Sequence, residues 1–120
     1  MEDLVFIKRK VGRFSDDVSL SVTSDNTRIY IYFRNRVDKL ITNGKTDYII
    51  VALLKNRIYF KRSDIVEGYK LSESSKSGNN LRIQISGKVA PTLLKFVENN
   101  TGEYPLKYDP DRELHYILCE

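Results

Sequence analysis

The sequence predicts an α+β domain, with a largely antiparallel sheet of about seven or eight strands and two helices packed on it. The main observation is that the order strand–helix–strand–strand occurs twice, first over residues 28–60 and again over 81–118. Apolar residues recur every second position in the strand segments and every third or fourth position in the helix segments. Two copies of one unit in a domain of 120 residues predict pseudo-twofold tandem βαββ repeats.

The chain divides into four segments of a single domain, residues 1–120. We expect an N-terminal arm or strand at 1–17, the first repeat at 18–62, a linking loop with a short strand at 63–80, and the second repeat at 81–118. The linking segment is rich in Ser, Gly and Asn toward its end, which is typical of a loop.

The first repeat opens with strands that have one buried face. Residues 18–22 alternate with a period of two, and the strand at 28–33 does the same. In the second of these strands the inward residues are Ile29, Ile31 and Phe33. The pattern of residues 34–41 predicts a short helix. Its apolar stripe is formed by Val37, Leu40 and Ile41.

Two further strands complete the first repeat. Residues 48–54 are almost continuously apolar, which predicts a central strand covered on both faces. Lys55 and Asn56 form a tight hairpin turn into the strand at 57–60.

The second repeat has the same order of elements. The strand at 81–85 directs Leu81, Ile83 and Ile85 inward, and the helix at 89–97 follows. Its core face is Val89, Leu93, Phe96 and Val97, and Pro91 fits only within the first turn. Pro105 in the strand at 104–108 predicts a sheet edge or a bulge, because proline has no backbone donor.

The residues that usually perform chemistry are scarce. His115 is the single histidine and Cys119 the single cysteine, so no Cys/His cluster can form a metal site. Asp109 and Asp111 flank Pro110 and are more typical of a turn than of an acid–base pair. We therefore expect no catalytic residues, no metal and no cofactor, and a protein that is not an enzyme.

The outward positions of the strands instead predict a basic and aromatic surface on one sheet face. The candidate contact residues are Arg28, Tyr30, Tyr32, Arg57, Tyr59, Lys61 and Arg82, with Lys70 and Gln84 beside them. Residues 1–60 hold eleven Lys and Arg against seven Asp and Glu. Cations neutralise phosphates and aromatic rings stack on bases, so this pattern favours nucleic acid. The same pattern is also found on ordinary solvated sheets, where Tyr and Arg pair across strands.

The layout resembles that of small proteins of Firmicute phages and mobile elements over residues 18–118. The matching motifs are Phe33 to Leu40, Gly68-Tyr69-Lys70-Leu71, Gly102-Glu103-Tyr104-Pro105, Tyr108-Asp109 and Leu114. The tandem order is also similar in topology to the double-wing C-terminal domain of phage MotA, a middle-promoter activator. That resemblance implies a saddle-shaped sheet able to lie against DNA.

The expected function is that of a nonenzymatic nucleic-acid-binding accessory or regulatory protein of a phage or mobile element. The alternative is a protein-interaction module that binds and modulates a host protein, through the same face or through the edge strand at 104–108. The acidic start of the chain lacks the layout of a secretory signal, and the lone cysteine fits a reducing compartment. We expect the bacterial cytoplasm and no membrane partner.

Overall fold

The computed structural model describes residues 17–42, 48–73 and 80–119. These ranges form two antiparallel sheets of five strands each and two α-helices, which confirms the predicted α+β class. The predicted arm lies outside the described residues except for Asp17, and so does the part of the linking loop at 74–79.

The elements follow one another along the chain with short connections. The strands are β1 (Asp17–Val22), β2 (Arg28–Phe33), β3 (Tyr48–Leu54), β4 (Arg57–Ser63), β5 (Tyr69–Lys70), β6 (Ser72–Glu73), β7 (Leu81–Ser86), β8 (Gly102–Pro105), β9 (Lys107–Asp109) and β10 (Leu114–Leu118). The helices are α1 (Asp38–Thr42), preceded by a 3-10 turn at Arg34–Arg36, and α2 (Pro91–Glu98).

Each repeat contributes strands to both sheets. The first sheet has the order β6-β7-β2-β1-β8, and the second sheet has the order β5-β3-β4-β10-β9. The opening strands of the repeats, β2 and β7, pair with each other, and so do the closing strands, β4 and β10. Equivalent strands of the repeats therefore meet at the middle of the molecule, as expected for a pseudo-twofold arrangement.

Two segments pass from one sheet into the other, each forming an edge strand in both sheets. Residues 69–73 change sheet at Leu71, which is buried between β5 and β6. Residues 102–109 change sheet at Leu106, between β8 and β9. Pro105 ends β8 at the edge of the first sheet, so the prediction of an edge or bulge at this proline is confirmed. One predicted strand at 104–108 is in fact two.

A single core fills the space between the sheets. Phe33 of the first sheet and Phe60 of the second pack edge to face, with ring centroids 5.3 Å apart. The inward residues predicted on β2 and β7 are all buried, and Leu93 and Val97 of α2 join them. Because residues of both sheets and both helices form one cluster, the described ranges share one apolar interior.

The first helix differs from the prediction in its phase. The chain makes a 3-10 turn, Arg36 adopts a positive φ of 59°, and the α-helix begins only at Asp38. Leu40 is consequently 53% exposed, so its assignment to the core is wrong. Asp38 is buried instead, where its carboxylate accepts hydrogen bonds of 3.0 and 3.2 Å from Arg36.

The second helix begins later than predicted. Proline disfavours helical geometry in the residue before it, so α2 begins at Pro91 and Val89 lies in the preceding turn. Val89 is 69% exposed, and its assignment to the core face is wrong. The expectation that β3 is covered on both faces is also wrong, because Ala52 and Leu54 are exposed on its outer side.

Candidate functional site

The seven predicted contact residues lie on two faces that point away from each other. Strands β2 and β7 belong to the first sheet, whereas β4 belongs to the second. The outer face of the first sheet carries Arg28, Tyr30, Tyr32 and Arg82, and the outer face of the second carries Arg57, Tyr59 and Lys61. The prediction of one shared face is wrong, because each repeat sends its first and last strands to different sheets.

The outer face of the first sheet presents a basic–aromatic row, which we define as Arg28, Tyr30, Tyr32 and Arg82. The two tyrosine rings are 6.1 Å apart and inclined at 44°. Arg82 lies opposite Tyr32 in the strand register, and its guanidinium carbon is 4.7 Å from the centre of the Tyr30 ring. A guanidinium stacked on a ring keeps the N–H donors at its edge available. Tyr30, Tyr32 and Arg82 are all partly exposed.

Arg28 connects the basic–aromatic row to a cavity of about 470 Å³ at the N-terminal end of α2. The cavity is lined by Asn26, Thr27, Arg28, Ser86, Gly87, Lys88 and Leu94. A Cβ at Gly87 would lie 2.5 Å from the Leu94 side chain and 2.9 Å from the carbonyl of Thr27, so only glycine fits this close approach. Within the described ranges, Arg28, Arg82 and Lys88 form no ion pair and are available to an anion.

The far end of the basic–aromatic row is also polar. A cavity of about 320 Å³ is lined there by Ser19, Ser21, Tyr32, Arg34 and Asn80. Arg34 forms an ion pair with Glu103. The charge of Arg34 is therefore neutralised. Within the described ranges, the cations of this face that form no ion pair are Arg82, opposite Tyr32, and Arg28 and Lys88 at the other end.

The outer face of the second sheet holds an Asp109 cluster, which we define as Arg57, Tyr59, Asp109, Arg112 and Tyr116. The Tyr59 hydroxyl donates a 2.9 Å hydrogen bond to Asp109 and accepts a 3.2 Å bond from Arg57. Arg112 donates a 3.2 Å bond to the same carboxylate oxygen. Tyr59 is only 4% exposed, so its ring cannot stack on an external base as predicted.

Hydrogen bonding keeps Asp109 ionised despite its burial. Desolvation alone would raise the pKa of this carboxyl, but the bonds from Tyr59, Arg112 and the backbone N–H of Asp111 outweigh it, and the net pKa lies below the usual range. The hydrogen bond to Tyr59 raises the pKa of Arg57, with the nearby phenols and carboxylate adding to the effect. Asp109 and Arg57 therefore stay charged at neutral pH.

Acid should weaken the fold through Asp109. A carboxyl with a lowered folded-state pKa stabilises the protein above its unfolded pKa of about 3.9, and this contribution is lost as the pH falls through the folded-state value. Asp109→Asn should lower the melting temperature at pH 7 by about 5 °C. On acidification, the melting temperature of this variant should fall less than that of the parent protein. Thermal unfolding followed by circular dichroism between neutral and acid pH measures both effects.

The matched control for Asp109 is Asp111→Asn, an exposed carboxylate two residues away in the same turn. Its variant should melt like the parent at every pH. Equal acid sensitivity of the parent and Asp109→Asn would contradict a stabilising role for the ionised carboxylate.

The sequence predicted only one part of the Asp109 cluster, the turn at Asp109. The predicted turn at Asp109 is confirmed, since its carboxylate accepts bonds from the backbone N–H groups of Asp111 and Arg112 at 3.0 and 3.3 Å. The bond from Tyr59 joins residues 50 positions apart, and no local pattern signals it. Lys88 was also missed, because its role depends on the meeting of two distant turns.

The remaining groups of potential chemical interest are His115, which is partly buried, and Cys119, which is buried. His115 contacts the Tyr108 ring at 5.0 Å, and burial lowers the pKa of its imidazole. Cys119 is buried beside Tyr104, and burial raises the pKa of both the thiol and the phenol. In the described ranges, no three His, Cys, Asp or Glu side chains are grouped so as to hold a metal ion.

Comparison with known proteins identifies no relative of this chain. Searches against family models, curated proteins and solved structures found no match to the chain. The resemblance to phage proteins and to the MotA double wing therefore stays a prediction, as does the absence of enzymatic activity. Among the helices of the described ranges, none combines the length and apolar character needed to cross a membrane.

Proposed function

We propose that this protein binds nucleic acid, preferentially single-stranded, through the outer face of the first sheet. The observation that carries the proposal is the basic–aromatic row, in which two partly exposed tyrosines lie beside two arginines that form no ion pair within the described ranges. Aromatic side chains on a positively charged sheet face are a common means of binding single strands, because every base has a face that can stack.

The spacing of the basic–aromatic row suits an extended polynucleotide. Alternate residues of a strand are about 6.7 Å apart, so successive outward side chains of β2 can follow successive nucleotides. Tyr30 and Tyr32 would each stack against a base. Arg28 and Lys88, which lie together at the 470 Å³ cavity, would neutralise phosphates at one end of the bound segment.

The outer face of the second sheet has no part in this proposal. Its one predicted stacking residue, Tyr59, is covered by the surrounding side chains. Arg57 lies over the Tyr116 ring and bonds to the covered Tyr59, so no open ring stands beside it for a base to stack on. Lys61 lies on the surface of β4 without an aromatic neighbour in the described contacts. The contact residues we propose are therefore Arg28, Tyr30, Tyr32, Arg82 and Lys88.

The proposed role is that of a nonenzymatic accessory or regulatory protein of a phage or mobile element, acting in the bacterial cytoplasm. The sequence layout described above is its support. A small sheet protein that coats or marks single strands would serve such a role without carrying out chemistry.

Arg28→Gln should weaken binding of labelled single-stranded DNA and reduce the dependence of affinity on salt. Loss of one phosphate contact lowers the slope of log K against log salt by about 1. Fluorescence anisotropy with single-stranded and duplex oligonucleotides, each measured at several salt concentrations, gives both quantities. The parent protein should prefer the single strand.

Lys107→Gln is the matched control, since it removes one exposed charge from the second sheet. It should leave the affinity and the salt slope within error of the parent. A parent protein that binds neither oligonucleotide at low salt would refute the proposed function, and an equal effect of both variants would refute the assigned face.

The alternative function is a protein-interaction module, and one observation favours it. Ile65 and Val66 are 73% and 85% exposed in the loop between β4 and β5. The loop is well defined, because Asp64 accepts bonds from the N–H groups of Val66, Glu67 and Gly68 at 2.9–3.1 Å. This alternative predicts no oligonucleotide binding at low salt, so the same anisotropy measurement distinguishes the two.

A further inference from the structure

The second sheet carries a basic pocket that the nucleic-acid proposal does not use. The turn between β3 and β4 and the turn between β9 and β10 together border a cavity of about 310 Å³. It is lined by Leu54, Lys55, Asn56, Arg57, Tyr59 and Arg112. Three of these six residues are cations: Lys55 and Arg57 from the first turn, and Arg112 from the second.

Two guanidinium groups converge at one point in this basic pocket. The Nη1 atoms of Arg57 and Arg112 lie 3.9 and 3.2 Å from the same oxygen, Oδ2 of Asp109. Arg57 stacks over Tyr116 at 4.7 Å, and Arg112 lies 5.5 Å from the centre of the Tyr59 ring. The aromatic contacts hold the guanidinium planes, and an arginine has five N–H donors, so donors remain for an external oxyanion.

The positive charge of the basic pocket exceeds what the fold requires. Asp109 already accepts bonds from Tyr59, from Arg112 and from two backbone N–H groups. Among the residues that the structure describes, Lys55, Arg57 and Arg112 are three cations against this one carboxylate, which leaves a surplus of two positive charges. Lys55 forms no ion pair within the described ranges, and the acidic neighbours of Arg112 do not line the pocket.

The backbone that holds Lys55 is fixed. Lys55 has a φ of 55°, in the left-handed region that most residues avoid. The carbonyl of Asn56, the next residue, accepts a 2.8 Å hydrogen bond from the N–H of Cys119. The turn that carries the lysine is therefore tied to the buried end of the last strand, and the ammonium is presented from a rigid base.

We propose that this basic pocket binds a phosphate group, either as the free ion or as a phosphomonoester. A phosphate dianion matches the surplus of two positive charges and offers several oxygens to converging donors. A carboxylate has one charge and would leave part of the surplus uncompensated. The pocket lies on the opposite outer face from the basic–aromatic row, so this inference stands independently of oligonucleotide binding.

Lys55→Asn tests the phosphate site without disturbing the fold. Asparagine tolerates a positive φ better than lysine, so the variant should melt at or above the temperature of the parent. Isothermal titration calorimetry with inorganic phosphate should show the affinity lowered about tenfold or more by the loss of one charge-assisted bond. Lys61→Gln, an exposed charge on the same face outside the pocket, should remain within twofold of the parent.

The source of the phosphate is distinguished by titrating adenosine monophosphate and adenosine in parallel. Phosphate and the nucleotide should bind, adenosine should not, and the backbone amides of Lys55, Asn56 and Arg57 should shift in ¹H–¹⁵N spectra. Tighter binding of the nucleotide than of phosphate indicates a phosphomonoester ligand, and equal binding indicates the free ion. No binding of either, equal losses in Lys55→Asn and Lys61→Gln, or amide shifts confined to other residues would overturn the proposal.

Discussion

Replacement of both Tyr30 and Tyr32 by alanine is expected to weaken the binding of single-stranded DNA by about 30-fold or more. Each base stacked on an aromatic side chain is worth about 1–3 kcal/mol, and two lost stacks at the lower end of that range give this factor. The salt dependence should hardly change, because the cations of the basic–aromatic row remain. Anisotropy titrations of the variant at several salt concentrations measure both quantities.

Tyr30→Phe with Tyr32→Phe provides the matched control, because it keeps both rings and removes only the hydroxyl groups. This control should bind within a few-fold of the parent. Tyr108→Ala removes a 52% exposed tyrosine elsewhere on the surface and should have no effect. If the double alanine variant melts like the parent and still binds within threefold of it, stacking on these two tyrosines is refuted.

The alternation of side chains predicted which face of each strand is buried. Ile29, Ile31 and Phe33 are fully buried, and the tyrosines between them face outward, as a period of two requires. The same period cannot show which strands pair. Pairing depends on contacts between distant residues, so one predicted sheet became two, and the predicted binding face was divided between them.

Helix phase was less predictable than strand phase. The positive φ of Arg36 interrupts the first helix and rotates Leu40 outward, although its spacing from Val37 is that of a core stripe. The buried place is taken by Asp38, whose carboxylate is compensated there by its two hydrogen bonds from Arg36. A pattern of apolar residues cannot reveal a polar side chain that is buried with its own partner.

The joined edges of the sheets predict that the described parts of the domain unfold together. Leu71 and Leu106 lie where the chain passes from an edge strand of one sheet to an edge strand of the other, so opening either sheet would pull on a strand of the other. The sheets also share one apolar interior. We therefore expect one transition rather than separate melting of the two sheets.

Phe33→Ala should be the most destabilising of the substitutions considered, at about 3–5 kcal/mol. Phe33 is fully buried and packs against Phe60 of the other sheet, so the cavity would open where the two sheets meet. Urea unfolding followed by both far-UV circular dichroism and tyrosine fluorescence measures the loss, and the two probes should coincide. Leu54→Ala, at a 42% exposed position, should cost much less. Separate transitions, or equal losses in the two variants, would show that the sheets do not depend on this contact.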